Sequence, residues 1–195
     1  MAHLFGTTLV GIALRRRAEL FAAALRRQAQ TDALTGLANR RAMQDYFDHV
    51  TARGAGKDED LAVLVVDVDH FKLINDRYGH VAGDHTLELL GHLIASHVRS
   101  DDFAARIGGE EFALVLPGCG MPAAGQRAED LRSAVERRSL ASWPHPVTVS
   151  IGVAVARARA GNAGAEELLT AADAALYRAK EAGRNTVRRA PSSRG

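Results

Sequence analysis

Hydrophobic spacing changes period along this chain, and each change marks an element. Leu61 to Val66 is a continuous apolar run rich in valine, the pattern of a central strand buried on both faces. From Val147 to Val155 apolar residues alternate with Thr148, Ser150, Gly152 and Ala154, a strict period of two that predicts another strand. Phe103 to Ile107 and Phe112 to Leu116 flank Gly108-Gly109-Glu110-Glu111 as the arms of a β-hairpin. Paired glycines suit a tight primed turn, which needs positive φ. Four stripes keep helical spacing: Met43, Phe47, Val50; Leu87, Leu90, Ile94, Val98; Ala124, Ala128, Leu131, Val135; and Leu169, Ala172, Leu176, Ala179. A short polar helix follows His70 and stops at Gly79, and Gly83-Asp84 opens the helix of Leu87. The last helix ends near Gly183, ahead of a short strand at Thr186-Val187.

After residue 60 the order is strand, helix, strand, strand, helix, strand, helix. This predicts an α+β fold of the ferredoxin-like split βαβ kind, an antiparallel sheet with helices on one face. Such a sheet sets the end of its first strand, Asp67-Val68-Asp69, beside the central hairpin. Asp67 and Glu110 then converge.

At the N-terminus, Leu4 to Leu14 is apolar and Arg15-Arg16-Arg17 follows at once. At ~1.5 Å per residue this run reaches about half of a ~30 Å hydrocarbon core, so it is no complete span. Charges placed after the apolar stretch argue against a signal peptide. Two readings stay open: the end of a transmembrane helix that would attach the chain to a membrane, its arginines on the cytoplasmic side, or an apolar helix start. Both place the main domain in the cytoplasm. Leu14, Ala18, Phe21 and Leu25 follow a 3.5-residue repeat, shared by a parallel coiled coil and a lone amphipathic helix. Asp32, Thr35 and Gly36 then form a turn, and Asn39 caps the helix of Met43. The organisation predicted is an N-terminal signalling helix over 1–30, a main domain over 31–188 with a polar loop at 52–60, and a disordered tail over 189–195.

Hydrophobic residues make up 47% of the chain, enough for one core. A net charge of +2 gives no argument for nucleic acid, and aromatics at 5%, placed at core positions, leave no stacking platform for RNA. Basic residues are 22 Arg against 3 Lys, which makes Lys72 and Lys180 stand out. Cys119 is the single cysteine, so no internal disulfide forms and a reducing compartment fits.

Nothing in a turn requires Glu110 and Glu111 to be adjacent, and their repulsion points to a cationic ligand. Oxygen ligands with no cysteine nearby favour a hard cation. Mg2+ typically takes one or two carboxylates plus phosphate oxygens and water, so the ion would arrive with a nucleotide. Lys72, Lys180 and Arg184 are candidates for its outer phosphates, although basic residues at a helix end, as Lys180 and Arg184 are, also complement the helix dipole. His85, His92 and His97 have no zinc-site spacing.

Six ordered motifs carry a resemblance. Asp32-x-Leu-Thr-Gly-Leu-x-Asn-Arg-Arg, Asp67-x-Asp-x-Phe-Lys-x-x-Asn-Asp, Gly79-His-x-x-Gly-Asp84, Arg106-x-Gly-Gly-Glu-Glu-Phe112, Val149-Ser-Ile-Gly-Val153 and Ala172-Asp-x-Ala-Leu-Tyr-x-Ala-Lys180 together resemble the GGDEF family of diguanylate cyclases, over residues 31 to 187. The resemblance implies a nucleotidyl-cyclase, palm-like sheet and the condensation of two GTP into cyclic di-GMP. It implies Mg2+, with Mn2+ as a substitute, held by Asp67, the carbonyl of Val68 and Glu110. Glu111 would assist deprotonation of the attacking hydroxyl, with Glu110 as the alternative acceptor, and Lys72, Lys180 and Arg184 would bind the β and γ phosphates.

In the same family, Asn75 and Asp84 would read guanine with His80 beside them. Taken alone, Asp84 is a helix N-cap and His80 a structural histidine. Asp69 is assigned mainly to capping, with a second-metal role as the remainder. Arg99-Ser100-Asp101-Asp102 fits the family's RxxD inhibitory site, where Arg99 and Asp102 would hold bound product. Each domain would hold one GTP, so catalysis implies a homodimer, for which the N-terminal helix would set the geometry. The competing class is a non-catalytic GGDEF-type receptor for GTP or cyclic di-GMP. Such modules usually lose signature or metal residues, which this chain retains.

Overall fold

β2, Asp60–Val68, is the centre of the sheet, with β4, Glu111–Pro117, and β5, Val149–Arg157, antiparallel on its two sides. The coordinates are a computed structural model that describes residues 16–17, 30–54, 60–157 and 163–191. β3, Phe103–Arg106, pairs antiparallel with β4. The edges are parallel: β1, Ala38–Asn39, joins β3, and β6, Val187–Arg189, joins β5. The order is β1-β3-β4-β2-β5-β6. Its four middle strands are the expected split βαβ core, and the added edges make the sheet mixed.

The expected single layer of helices is corrected to two. Along β2, Leu64, Val66 and Val68 enter one core cluster while Leu61, Val63 and Val65 enter the other. The first cluster lies under α2 (Phe71–Tyr78), α3 (His80–His97) and α4 (Met121–Ser142), through Phe71, Leu87, Leu90, Leu131 and Val135. The second lies under α1 (Arg40–Gly54) and α5 (Ala163–Glu181), through Met43, Phe47, Leu168, Ala172 and Leu176. A strand that is apolar at every position must be covered on both sides, and each large aliphatic side chain withdrawn from water contributes about 1.5–3 kcal/mol.

Several boundaries move. α1 continues to Gly54, through the first residues of the expected 52–60 loop. α3 begins at His80, so Gly83 and Asp84 lie inside it and Asp84 is not its N-cap. Arg189 belongs to β6, and Ala190 is buried with its N–H on the Val153 carbonyl, so both belong to the sheet rather than to a tail beginning at 189. Asn39 caps α1 as expected, its Oδ1 accepting the Ala42 N–H at 3.0 Å.

The apolar run Leu4–Leu14, the repeat at Leu14, Ala18, Phe21 and Leu25, and the end of the tail lie outside the described residues; of that N-terminal stretch only Arg16 and Arg17 are described, and they are helical. Among the described residues no helix is long and apolar enough to cross a membrane.

Candidate catalytic site

The acidic end of β2 and the acidic hairpin meet, as expected. Asp67 pairs in register with Glu111 of β4 on one side and Ser150 of β5 on the other. The Val68 N–H donates to the Glu110 carbonyl at 3.3 Å. Three carboxylates thus share one rim of the sheet, and Lys180 from the end of α5 reaches it, with Nζ 2.7 Å from Asp67 Oδ2. Burial pushes the nearly inaccessible Asp67 carboxyl above the usual carboxylate range; Lys180 pulls it down, but Glu111 and Asp69 add to the rise. Glu110 is also raised, first by burial and then by Asp67 and Glu111, against Lys180.

The hairpin tip does not use the primed turn that its glycines suggest. Neither Gly108 nor Gly109 has positive φ. The N–H groups of Ile107 and Gly108 both point to the Glu111 carbonyl, at 2.9 and 3.3 Å, closing a wider loop. Gly108 leaves room for the Glu111 side chain instead: a Cβ there would strike its carboxylate, which would have to swing aside.

Arg106 holds this tip and was missed as a functional residue in the sequence. Its Nη2 donates to the Gly109 carbonyl at 2.6 Å, and its Nη1 to Asp32 Oδ1 and Oδ2 at 3.2 and 3.3 Å. Asp32 also accepts from the Thr35 hydroxyl and N–H at 2.7 and 2.9 Å, the turn expected there. Burial would raise the Asp32 carboxyl, but Thr35 and Arg106 outweigh it and the net shift is downward. The Asp32–Thr35 turn is therefore tied to the Gly108-Gly109-Glu110-Glu111 hairpin through one guanidinium. Both side chains are mostly buried, so the pair escapes the screening that weakens surface ion pairs. A double-mutant cycle of Asp32→Ala and Arg106→Ala, read by chemical denaturation, is expected to give a coupling of about 1–2 kcal/mol.

α2 carries Lys72, exposed, and Asn75, half-buried. Asn75 sits against the start of α3: a Cβ on Gly83 would strike its Oδ1 and stand 3.2 Å from the Phe71 ring. Asp84 follows Gly83 and is exposed, as is His80 at the head of α3. The structure thus brings Asn75 to the turn that carries Asp84.

Asp69 is corrected. It caps nothing: the residue before α2 is His70, and no side chain caps that end. Its carboxylate is instead filled from three directions, by the Ser150 hydroxyl at 2.6 Å, the Thr148 hydroxyl at 2.7 Å and the Asn185 N–H at 2.9 Å. Three of the roughly four acceptor positions of this carboxylate are thereby taken.

Arg184 lies in the turn after α5. Gly183, Arg184 and Asn185 have φ of 106°, 66° and 44°, and the Arg184 N–H returns to the Ala179 carbonyl at 3.1 Å in a Schellman-type stop. Consecutive left-handed residues with side chains cost about 1–2 kcal/mol each and persist only when their surroundings hold them.

Away from this rim, Arg99 lies just beyond the end of α3, exposed, while its N–H donates to Asp102 Oδ2 at 2.6 Å. Arg127 of α4, also missed, pairs with both Asp102 oxygens and with the His97 carbonyl. Burial would raise the Asp102 carboxyl, but Arg127 and the Arg99 N–H outweigh it and the net shift is downward. Nothing local signals a partner 25 positions away.

The comparisons agree with this geometry. The family model described as diguanylate cyclase, GGDEF domain, matches residues 29–186. Diguanylate cyclase DgcM of Escherichia coli is 42% identical over 167 residues, covering 84% of this chain and 39% of its own length. The coiled coil and GGDEF domain of DgcB from Caulobacter crescentus, solved in complex with c-di-GMP, superposes with a TM-score of 0.85 at 34% identity, covering 96% of this chain and 99% of that one. The active GGEEF domain of a diguanylate cyclase from Vibrio cholerae gives 0.73 at 32%, covering 80% and 99%. This chain spans 24% to 54% of the length of the curated relatives it matches. With the family model covering most of its length and the signature carboxylates gathered at one sheet rim, the chain belongs to the GGDEF-domain family of diguanylate cyclases.

Proposed function

We propose that this chain condenses two GTP into cyclic di-GMP with release of two pyrophosphates. The observation that carries the reading is the meeting of Asp67 with Glu110 and Glu111 at one rim, beside Lys180. Among the described residues no group of three His, Cys, Asp or Glu side chains could hold a metal. The fit is therefore to an ion that takes two carboxylates, Asp67 and Glu110, with the Val68 carbonyl, and completes its shell with phosphate oxygens and water; Mg2+ does this, with Mn2+ as a substitute. Asp67 and Glu110, each raised partly by the like charges around it, are groups that a cation relieves. Bound there, the ion would neutralise charge developing on phosphorus and acidify the 3′-hydroxyl.

The chain's own groups do the rest. Glu111, or Glu110 as the alternative, accepts the 3′-hydroxyl proton as that oxygen bonds to the α-phosphorus of the other nucleotide. The bond from that phosphorus to the bridging oxygen breaks, and its electron pair leaves on pyrophosphate. Lys72, Lys180 and Arg184 bind the β and γ phosphates, Lys180 moving from Asp67 toward them. Asp84 accepts from guanine N1–H and the 2-amino group, a bidentate contact that adenine cannot offer; Asn75 meets O6 or N7, and His80 borders the pocket.

One domain holds one GTP, so two copies must face each other. The N-terminal helix is the element to pair them, in line with the coiled coil of the DgcB structure. Arg99 and Asp102 form an RxxD site at which cyclic di-GMP holds the enzyme inactive, Asp102 then exchanging Arg127 for a guanine. Such a domain works in the cytoplasm, at the inner-membrane face if the N-terminus is anchored.

Incubating the chain with GTP and Mg2+ and resolving the products is expected to give cyclic di-GMP and pyrophosphate, at a specific rate that rises with protein concentration. Binding of GTP without turnover would assign the chain to the receptor class instead.

A further inference from the structure

The turn after α5 is built around residues that the reaction itself leaves unassigned. Asn185 is gripped at its N–H and at both polar atoms of its side chain. Its N–H is held by Asp69 Oδ2 at 2.9 Å, its Nδ2 donates to Glu136 Oε1 at 2.8 Å, and its Oδ1 accepts from Arg132 Nη1 at 2.6 Å. Asp69 is buried and fixed in turn by Ser150 of β5 and by Thr148 just before that strand, while Glu136 and Arg132 lie on α4 and pair with each other at 2.8 Å. The next carbonyl, that of Thr186, accepts the Ile151 N–H at 3.0 Å. Two layers of the fold therefore clamp one residue in the left-handed region.

Arg184 next to it has the same backbone conformation, at φ 66°, and an exposed side chain. Among the described residues that side chain makes no hydrogen bond or ion pair with another group. A reversal needed only to connect α5 to β6 would place glycine or asparagine there. An arginine in that conformation points to a use for its guanidinium at that place. The place is the carboxylate rim: Asp69 is two residues from Asp67, and Lys180, four residues before Arg184, already reaches Asp67.

We propose that Asn185, held between Asp69 and the Arg132–Glu136 pair, is a positioning residue that locks the Arg184 turn so that the guanidinium meets the outer phosphates of the nucleotide. The inference rests on the cyclase reading for the identity of that nucleotide. Asp69 is the post on the sheet side and α4 the post on the helix side. Asn185 touches no substrate and acts through Arg184.

Asn185→Gly tests this, because glycine keeps the left-handed backbone and the N–H to Asp69 while deleting the amide clamp. Two probes separate the roles: GMPCPP, whose methylene-bridged α and β phosphorus atoms prevent turnover, and GMP, which lacks the outer phosphates. Asn185→Gly is expected to weaken GMPCPP binding about tenfold while GMP binding changes less than about twofold. In an Arg184→Ala background the same substitution is expected to cost nothing further for GMPCPP. Arg132→Ala, read in the same cycle, releases the clamp from the helix side and decides the matter should Asn185→Gly fail to fold. Equal loss for both probes, or additive losses with Arg184→Ala, would overturn the inference. A native chain that binds GMPCPP and shows this pattern but makes no cyclic di-GMP sinks the cyclase reading and keeps the positioning role; a native chain that does not bind GMPCPP sinks both.

Discussion

Glu110→Gln is expected to lower cyclic di-GMP formation at least about 10³-fold, about 4 kcal/mol of transition-state stabilisation, and to leave the fold intact or slightly more stable. The two effects have one cause. Asp67, Glu110 and Glu111 crowd one rim, with Lys180 paired to Asp67 at 2.7 Å, and burial and mutual repulsion raise the carboxyls of Asp67 and Glu110. In the protein alone this crowding is a cost, since carboxylates raised above their unfolded range destabilise the folded state as pH rises through the raised value. Neutralising one of them relieves the others. Stability given up at a site that needs a ligand to complete it is the usual pattern of a functional centre.

The glutamine keeps the size of the side chain and its hydrogen-bonding oxygen, so what is lost is charge. Turnover at saturating GTP together with a melting curve separates the two effects: rate should collapse while the melting temperature holds or rises. The same raised carboxyls set the pH response. Proton and divalent cation compete for them, so the Mg2+ concentration needed for half-maximal rate should climb on the acid side before ordinary carboxylates begin to protonate. Rapid turnover by a variant lacking both Glu110 and Glu111 would remove the basis of the assigned site.

How much of this was legible follows from the range over which each signal acts. The meeting of Asp67 with the hairpin was legible, because an apolar run ending in carboxylates and a glycine-glutamate tip each place themselves on a sheet, and the split βαβ order brings them together. Asn39 as a cap and the Asp32–Thr35 turn were legible because their partners lie three residues away. What escaped acts across the fold. Arg106 reaches Asp32 over 74 positions, Asn185 reaches Asp69 over 116, and Arg127 reaches Asp102 over 25. None has a periodic or local signature.

Asp69 was misassigned for a related reason. A carboxylate just before a helix looks like a cap, and only the alternation of Thr148 and Ser150 on the neighbouring strand shows that two hydroxyls stand ready for it. Gly108 misleads in another way, because glycine answers two needs, positive φ and lack of a side chain, and sequence does not separate them; Gly109 answers neither, with no positive φ and open space around a Cβ. The second helical layer is legible as well, since a strand as apolar as Leu61 to Val66 asks for cover on both sides.

Gly152→Val should have the largest effect on stability, and its reason is that second layer. In the sequence Gly152 alternates with large apolar residues and so falls on the face opposite Ile151 and Val153. That face is where α5 packs. A Cβ on Gly152 would collide with the Ala172 carbonyl and the Leu176 N, and come within 2.9 Å of the Leu176 Cα. These are backbone atoms of a helix in its middle turns, which cannot rotate aside as a side chain would, so α5 must lift from β5 or the strand must bend.

Overpacking in a core that can relax costs about 1–3 kcal/mol, and this contact has no soft partner, so Gly152→Ala is expected to cost at least about 3 kcal/mol. For a domain of this size that lowers the melting temperature by roughly 6–12 °C. Valine adds two methyl groups against the same helix, and the expectation is no cooperative unfolding transition at all. The consequence extends to the site, because α5 carries Lys180 and ends in the Arg184 turn: an alanine variant that still folds should bind GMPCPP more weakly than native protein, with GMP affected less. Substitution of Gly109, where nothing lies within 4 Å of a Cβ, is the matched control and should leave stability within about 0.5 kcal/mol. A Gly152→Ala protein as stable as the Gly109 control would mean that α5 does not sit on the strand at that distance, and the two-layer packing of the sheet would have to be redrawn.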